Sequence, residues 1–360
     1  MNIDRSMLSL IQQLSDVPGP SGFEDEVVEL VKKNVPFIGR VEEDCLRNLY
    51  LYRKEHSGNK PVLMLDAHSD EVGFMVQAIR PDGTLRVLNI GGWSVSALPS
   101  SKVLVRNAEG RYLPGIIALK PVHFMTPEER SGSVSDITSL IIDVGAASKE
   151  EAEKEFHIRI GEPVVPATKF EYDEKHDLMF GKAFDCRIGC AALIETLRRL
   201  DGLELPVDVV GVLSSQEEVG ERGCRVAVNH VKPDIAVVFE GCPADDTFTE
   251  SWLVQTALHH GPMLRHMDTS IICSPRFQRY TMALAEEKGL ALQSSVRQGG
   301  GNNAAVINTA LDGIPSIVAG VPVRYIHSVN CITSYFDFDA TAALAAELAK
   351  SLTAEIIAKF

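Results

Sequence analysis

Val207-Asp-Val-Val-Gly-Val-Leu213, running into Ser214-Ser215-Gln216-Glu217-Glu218-Val219-Gly220, is the stretch on which the reading of this chain turns. The Val-rich half has the length and the nearly unbroken apolarity of a buried strand. Two adjacent carboxylates therefore stand where an interior strand ends and a loop opens. In an open α/β sheet, ligands bind outside the carboxyl ends of the strands. Neighbouring side chains at a strand end point in different directions, so one glutamate can hold a metal while the other handles a proton. An isolated pair of glutamates is more often a solvated loop edge, so the case must come from the rest of the chain.

Other strands end in the same way. Val62-Leu-Met-Leu-Asp-Ala67 runs straight into His68-Ser69-Asp70. A His and an Asp two apart on extended chain face the same way, which suits a ligating imidazole whose other nitrogen is held by a carboxylate. Ile235-Ala-Val-Val-Phe239 ends in Glu240, and Val323-Arg-Tyr-Ile-His327 follows the apolar run Ser316–Gly320. Asp185 precedes an Ala-rich apolar helix, where it is either an N-cap or a ligand. His68, Asp185, Glu218, Glu240 and His327 make a donor set of two imidazoles and three carboxylates, suited to zinc, cobalt or manganese. One bridging carboxylate would let them hold two ions. Glu217 is then the free carboxylate placed to take a proton from an activated water.

Between residues 71 and 166 the texture changes to short β-rich runs separated by turns such as Pro81-Asp-Gly83, with helical periodicity only at Ser148 to Phe156. This reads as a small inserted barrel or sandwich (71–166) interrupting an α/β domain made of 1–70 and 167–360. Met125-Thr-Pro-Glu-Glu-Arg-Ser-Gly-Ser133 reads as a polar, mobile loop within it. Elsewhere the patterns predict helices over 3–15, Glu24 to Lys33, Phe277 to Gly289 and Phe338 to Lys359. Ser21-Gly-Phe-Glu24 has capping-box spacing for the second of these.

The 360 residues carry a formal charge of -14, with 45% hydrophobic and 23% charged residues. That charge argues against nucleic acid or an anionic membrane as partner, because phosphate binding needs clustered Lys and Arg. No apolar run approaches a membrane span, and Met1–Leu10 lacks the pattern of a secretion signal. Seven scattered cysteines read as reduced thiols, hence a cytoplasmic location.

Four segments, Ala67–Val76, Gly181–Gly189, Gln216–Gly223 and Tyr325–Ser328, stand in the order and spacing of the tetrahedral aminopeptidases, metallopeptidase family forty-two, which includes glutamyl and deblocking enzymes. The chain resembles that family over its whole length. The resemblance implies a globular mixed-sheet α/β catalytic domain, an inserted β-rich dimerisation domain, and cytoplasmic dimers assembling into a tetrahedral dodecamer that takes short peptides. It implies Asp185 as the carboxylate bridging two divalent ions, zinc or cobalt before manganese. Glu218 and His327 complete one site, and His68 and Glu240 the other. Asp70 resembles the residue that orients His68, and Glu217 the general base. Three positions depart from the family pattern: Cys186 after the bridging Asp, across a bond expected to be cis; Glu240 where many relatives have Asp; and Asn302-Asn303 in place of Thr-Asp.

Two other readings compete. Paired carboxylates can also serve an endoglucanase-type glycoside hydrolase without metal, although Trp93 and Trp252 are the only tryptophans to stack on sugar. A catalytically decayed family member, acting as an assembly protein, is the other.

Overall fold

The computed structural model describes residues 3–127 and 137–360. The chain opens with α1 (Arg5–Asp16), α2 (Asp25–Asn34), β1 (Arg40–Glu43), β2 (Leu49–Tyr52) and β3 (Val62–His68). The insertion carries β4 (Gly73–Ile79), β5 (Leu85–Ile90), β6 (Lys102–Arg106), β7 (Tyr112–Ile117), β8 (Ile141–Asp143), α3 (Lys149–Lys154) and β9 (Pro163–Pro166). The chain then returns through β10 (Glu171–Asp173), β11 (Leu178–Gly181), α4 (Phe184–Leu200), β12 (Asp208–Ser214), α5 (Arg222–Val231) and β13 (Ile235–Pro243). It closes with β14 (Met263–Met267), α6 (Pro275–Lys288), β15 (Gln293–Val296), α7 (Asn303–Asn308), β16 (Ser316–Val323), β17 (Cys331–Thr333), α8 (Tyr335–Ser351) and α9 (Ala354–Ile357).

The fold is α/β, with a mixed eight-stranded sheet in the order β1-β2-β12-β3-β13-β16-β14-β15 and an inserted six-stranded antiparallel barrel, β4-β5-β8-β7-β6-β9. The central strands β12, β3, β13 and β16 are mutually parallel. Their residues are almost all buried, which is why they read as continuous apolar runs rather than alternating ones. Strand β12 pairs with β3 so that Ser214 lies beside His68. Helices α1, α4 and α8 cover one face, and their Leu, Ile and Ala side chains join the largest apolar cluster. The barrel has its own core, built on Phe74, Val76, Leu85, Val103 and Ile142.

Local chemistry departs from the expectation at three helix ends. The box at Ser21–Glu24 does not form: Ser21 Oγ donates to Asp70, and Glu24 Oε1 accepts from the backbone of Gly22 and Gln216. The same spacing is used instead at Ser148–Glu151, where Ser148 Oγ accepts from Glu151 N at 3.2 Å and Glu151 accepts from Ala147 N at 2.6 Å. The C-terminal helix expected over 338–359 breaks after Ser351, and Thr353 starts a second one by accepting from Ile356 N. The polar loop expected at 125–133 falls largely on residues 128–136, outside the described residues.

Candidate metal centre

The chemistry gathers at the carboxyl ends of the parallel strands. His68 is the last residue of β3, Glu217 and Glu218 follow β12 by three and four residues, and Glu240 lies within β13. His327 stands in the loop between β16 and β17, and Asp185 at the kinked start of α4. Asp185 sits at non-helical backbone angles and turns its carboxylate to two imidazoles rather than to the N–H groups of the helix, and the Asp185–Cys186 peptide is cis, as the resemblance implies. Gln216 and His327 have φ of +55°, a left-handed conformation that costs free energy unless the surroundings impose it.

The two oxygens of Asp185 face two different imidazoles. Oδ1 is 3.3 Å from His68 Nε2, and Oδ2 is 3.2 Å from His327 Nε2. Around the first imidazole lie Glu240 Oε2 at 3.6 Å and Glu217 Oε2 at 3.9 Å. Around the second lies Glu218 Oε1 at 3.7 Å. The structure thus brings His68, Asp185, Glu217, Glu218, Glu240 and His327 around a single cavity of about 610 Å³.

The remaining ring nitrogens point away from this centre and are held. His327 Nδ1 donates to Gly92 O at 2.9 Å, and His68 Nδ1 lies 3.3 Å from Asp70 Oδ1. The first arrangement fixes the tautomer that leaves Nε2 as a lone-pair donor; the second sets a carboxylate beside the ring without an aligned hydrogen bond. Asp70 also accepts from the backbone N–H groups of Glu217 (3.0 Å) and Glu218 (3.2 Å), and from Ser21 Oγ (2.6 Å). One carboxylate therefore sets an imidazole and both glutamates. The barrel side contributes as well: Gly91 has φ +75° and lies so close to Glu218 that a Cβ there would stand 3.0 Å from Oε2. Only glycine suits both demands.

The site is costly as it stands. Burial, reinforced by Asp185, pushes Glu218 up to about 7 and Glu240 up to about 8. Burial also pushes Glu217 well above the carboxylate range. His327 rises to about 9: burial opposes the charge, but Asp185 and Glu218 outweigh it. Asp185 moves the other way, its burial outweighed by the two imidazoles. Glu240 Oε1 is buried with no hydrogen-bond partner among the described residues. Donor atoms about 2.0–2.2 Å from an ion stand roughly 3–3.5 Å from one another, close to the separations seen here. Two groups, His68–Asp185–Cys186–Glu240 and Asp185–Glu218–His327, each bring donor atoms within 4.8 Å of one another. The residues present fit divalent cations, which would meet the unpartnered oxygen and offset the repulsion.

Three buried charges escaped the sequence reading. Lys182 Nζ lies 2.6 Å from both oxygens of Glu71, which also accepts from Gly19 N. Arg187 donates to the carbonyls of Ser69, Leu14, Val17 and Gly19. Together they pin the turn after His68 to the start of α4, and so the spacing of His68 and Asp185. Glu71, Lys182 and Arg187 lie inside the motif segments, but nothing in a sequence marks a lysine as buried. The remaining histidines are elsewhere, with His157, His176 and His230 in exposed pairs with Glu109, Asp173 and Glu42.

The model of the M42 glutamyl aminopeptidase family matches residues 48–344. A glutamyl aminopeptidase of Lactococcus lactis subsp. cremoris is 30% identical over 97% of each chain. A lysyl aminopeptidase of Pyrococcus furiosus is 32% identical over 95% of this chain and 96% of its own. The crystal structure of a TET aminopeptidase from Thaumarchaeota archaeon SCGC AB-539-E09 superposes with a TM-score of 0.93 at 35% identity, covering 99% of both chains. The chain belongs to the M42 family of metalloaminopeptidases. Among the described residues, no helix is long and apolar enough to cross a membrane.

Proposed function

We propose that the chain removes the N-terminal residue of short peptides at a centre of two divalent ions, zinc or cobalt before manganese. The observation that carries this reading is Asp185, whose two oxygens face separate imidazoles at 3.3 and 3.2 Å. His68 and Glu240 would hold one ion and Glu218 and His327 the other, with Asp185 offering one oxygen to each side. Bound there, such a pair polarises a carbonyl and acidifies a water. Glu217 is the proton carrier. Its neighbour Glu218 is turned toward His327, while its own carboxylate faces the cavity within 3.9 Å of His68 Nε2. A carboxylate so placed accepts a proton from the attacking water and passes it to the departing amine. Asp70 acts through His68 and the two backbone N–H groups, not on the substrate.

The same reading makes residues 71–166 a dimerisation domain and the working particle a homo-oligomer, dimers assembled into a tetrahedral dodecamer. In its support, Ile116, Leu119 and Phe124 expose large apolar surface on the barrel side. Seven free cysteines, six of them buried, suit a cytoplasmic location. Chelation should abolish hydrolysis of aminoacyl chromogenic substrates, and zinc, cobalt or manganese should restore it. Glu217→Gln should keep both ions by elemental analysis while losing about 10²–10⁴ in kcat. Retained turnover in that variant removes Glu217 as the base.

A further inference from the structure

The two halves of the metal centre are held by different parts of the molecule. His68 ends β3 and Glu240 lies within β13, so these two ligands ride on paired strands of the large sheet. Glu218 and His327 stand on loops, and the His327 side chain is 35% exposed where that of His68 is 1%. Neither strand pairing nor burial fixes His327, so its position has to come from specific contacts.

Those contacts come from the inserted barrel, through the loop Gly91-Gly92-Trp93-Ser94 that follows β5. Gly92 O accepts from His327 Nδ1 at 2.9 Å, and Ser94 N donates to His327 O at 3.2 Å. The histidine is thus held at ring and backbone by the two neighbours of one tryptophan. The loop also lies hard against both ligands. A Cβ on Gly92 would stand 3.3 Å from His327 Nδ1, and one on Gly91 3.2 Å from the Cβ of Glu218. The chain beyond His327 is seated in the barrel too, with Val329 in its apolar core and Val329 O accepting from Thr168 Oγ1 at 2.6 Å.

Trp93 anchors that loop. Its ring stacks on Phe74 of β4, with centroids 4.8 Å apart and planes 9° from parallel, and Phe74 is buried in the barrel core. Its Nε1 donates to Gly73 O at 3.0 Å. Stacking and a directed hydrogen bond together fix both the depth and the rotation of an indole. A carbonyl that holds the second nitrogen of a ligating imidazole sets the orientation and basicity of the first.

We infer that Trp93 is a positioning residue of the metal centre, acting through Gly92 and Ser94 on His327, so that the barrel governs one ion of the pair and not the other. The inference rests on the two-ion reading above and adds which part of the chain controls each ion. The His68 side has no such dependence, since His68 Nδ1 faces Asp70 of its own segment.

Competition with a chromophoric chelator reads the zinc affinity of each site. Trp93→Ala should weaken one site about 10–100-fold and leave the other unchanged. Trp93→Phe, which keeps a ring on Phe74 but loses the hydrogen bond to Gly73, should fall between. Gly92→Ala leaves the tryptophan in place and crowds the His327 ring, so it should weaken the same site. His327→Ala removes that site, and adding Trp93→Ala to it should leave the affinity for the remaining ion unaltered. A further loss there, or equal weakening of both sites in Trp93→Ala, shows general loosening and overturns the inference. So does a Trp93→Ala protein that binds both ions as the unchanged protein does. Unchanged protein that takes up fewer than two ions removes the two-ion reading, and the inference with it.

Discussion

Glu71, Lys182 and Arg187 are as thoroughly buried as His68, Asp70 and Glu240, yet the two clusters meet burial in opposite ways. The first is closed. Both Glu71 oxygens face an ammonium, a backbone N–H completes them, and the arginine is spread over four carbonyls. The second is open: it has an excess of acceptors, an oxygen without a partner, and carboxylates pushed toward neutrality. The residue types and the degree of exclusion from water are alike. What differs is whether the protein supplies every counter-charge itself, and the cluster that does not is the one proposed to take cations and substrate.

The largest effect should come from breaking the closed cluster. Lys182→Met leaves Glu71 only the more distant Arg187 Nη2, 3.8 Å away, as counter-charge and should cost about 3–5 kcal/mol in chemical denaturation. Glu71→Gln combined with Lys182→Met should recover most of that loss. A single-variant cost below about 1 kcal/mol would mean the pair is no more than a surface-strength contact. Next comes the link into the open cluster. Asp70→Asn should lower metal affinity about 10–100-fold, read by competition with a chromophoric chelator, with circular dichroism unchanged; undiminished affinity would detach Asp70 from the site.

The smallest effect concerns pH. In chelated protein Glu218, Glu240 and His327 have folded values of about 7, 8 and 9, all above their ordinary ones. The folded state then holds more protons than the unfolded state from roughly pH 4.5 to 9, so stability falls as pH rises through that window. Cations displace those protons, so binding strengthens in the same direction. The melting temperature of chelated protein should drop between pH 6 and pH 8.5, by about 2–4 °C for each kcal/mol. The gap to metal-loaded protein should widen. A gap that narrows over that range would show that the open cluster does not hold these protons.

Much of the open cluster could be read in the chain because parallel strands buried on both faces must be continuous apolar runs, and the residues just beyond such runs must be loop. The ends of the runs at His68 and Glu240, and the pair after Leu213, are visible for that reason. The capping box shows the weakness of such local reasoning: the same spacing occurs at Ser21–Glu24 and Ser148–Glu151, and only the second caps a helix. Asp70, distant in sequence, draws the Ser21 hydroxyl away.

Alternation, strand ends and motif order by themselves determined the α/β class, the β-rich insertion and the side chains that gather around Asp185, since each depends on neighbours along the chain. Only the tertiary structure decided that Asp185 faces one imidazole with each oxygen and that Glu71 and Lys182 close on one another. The reason is physical. Whether a charge is satisfied depends on groups brought within about 3–4 Å from segments far apart in sequence, and no local pattern records that distance.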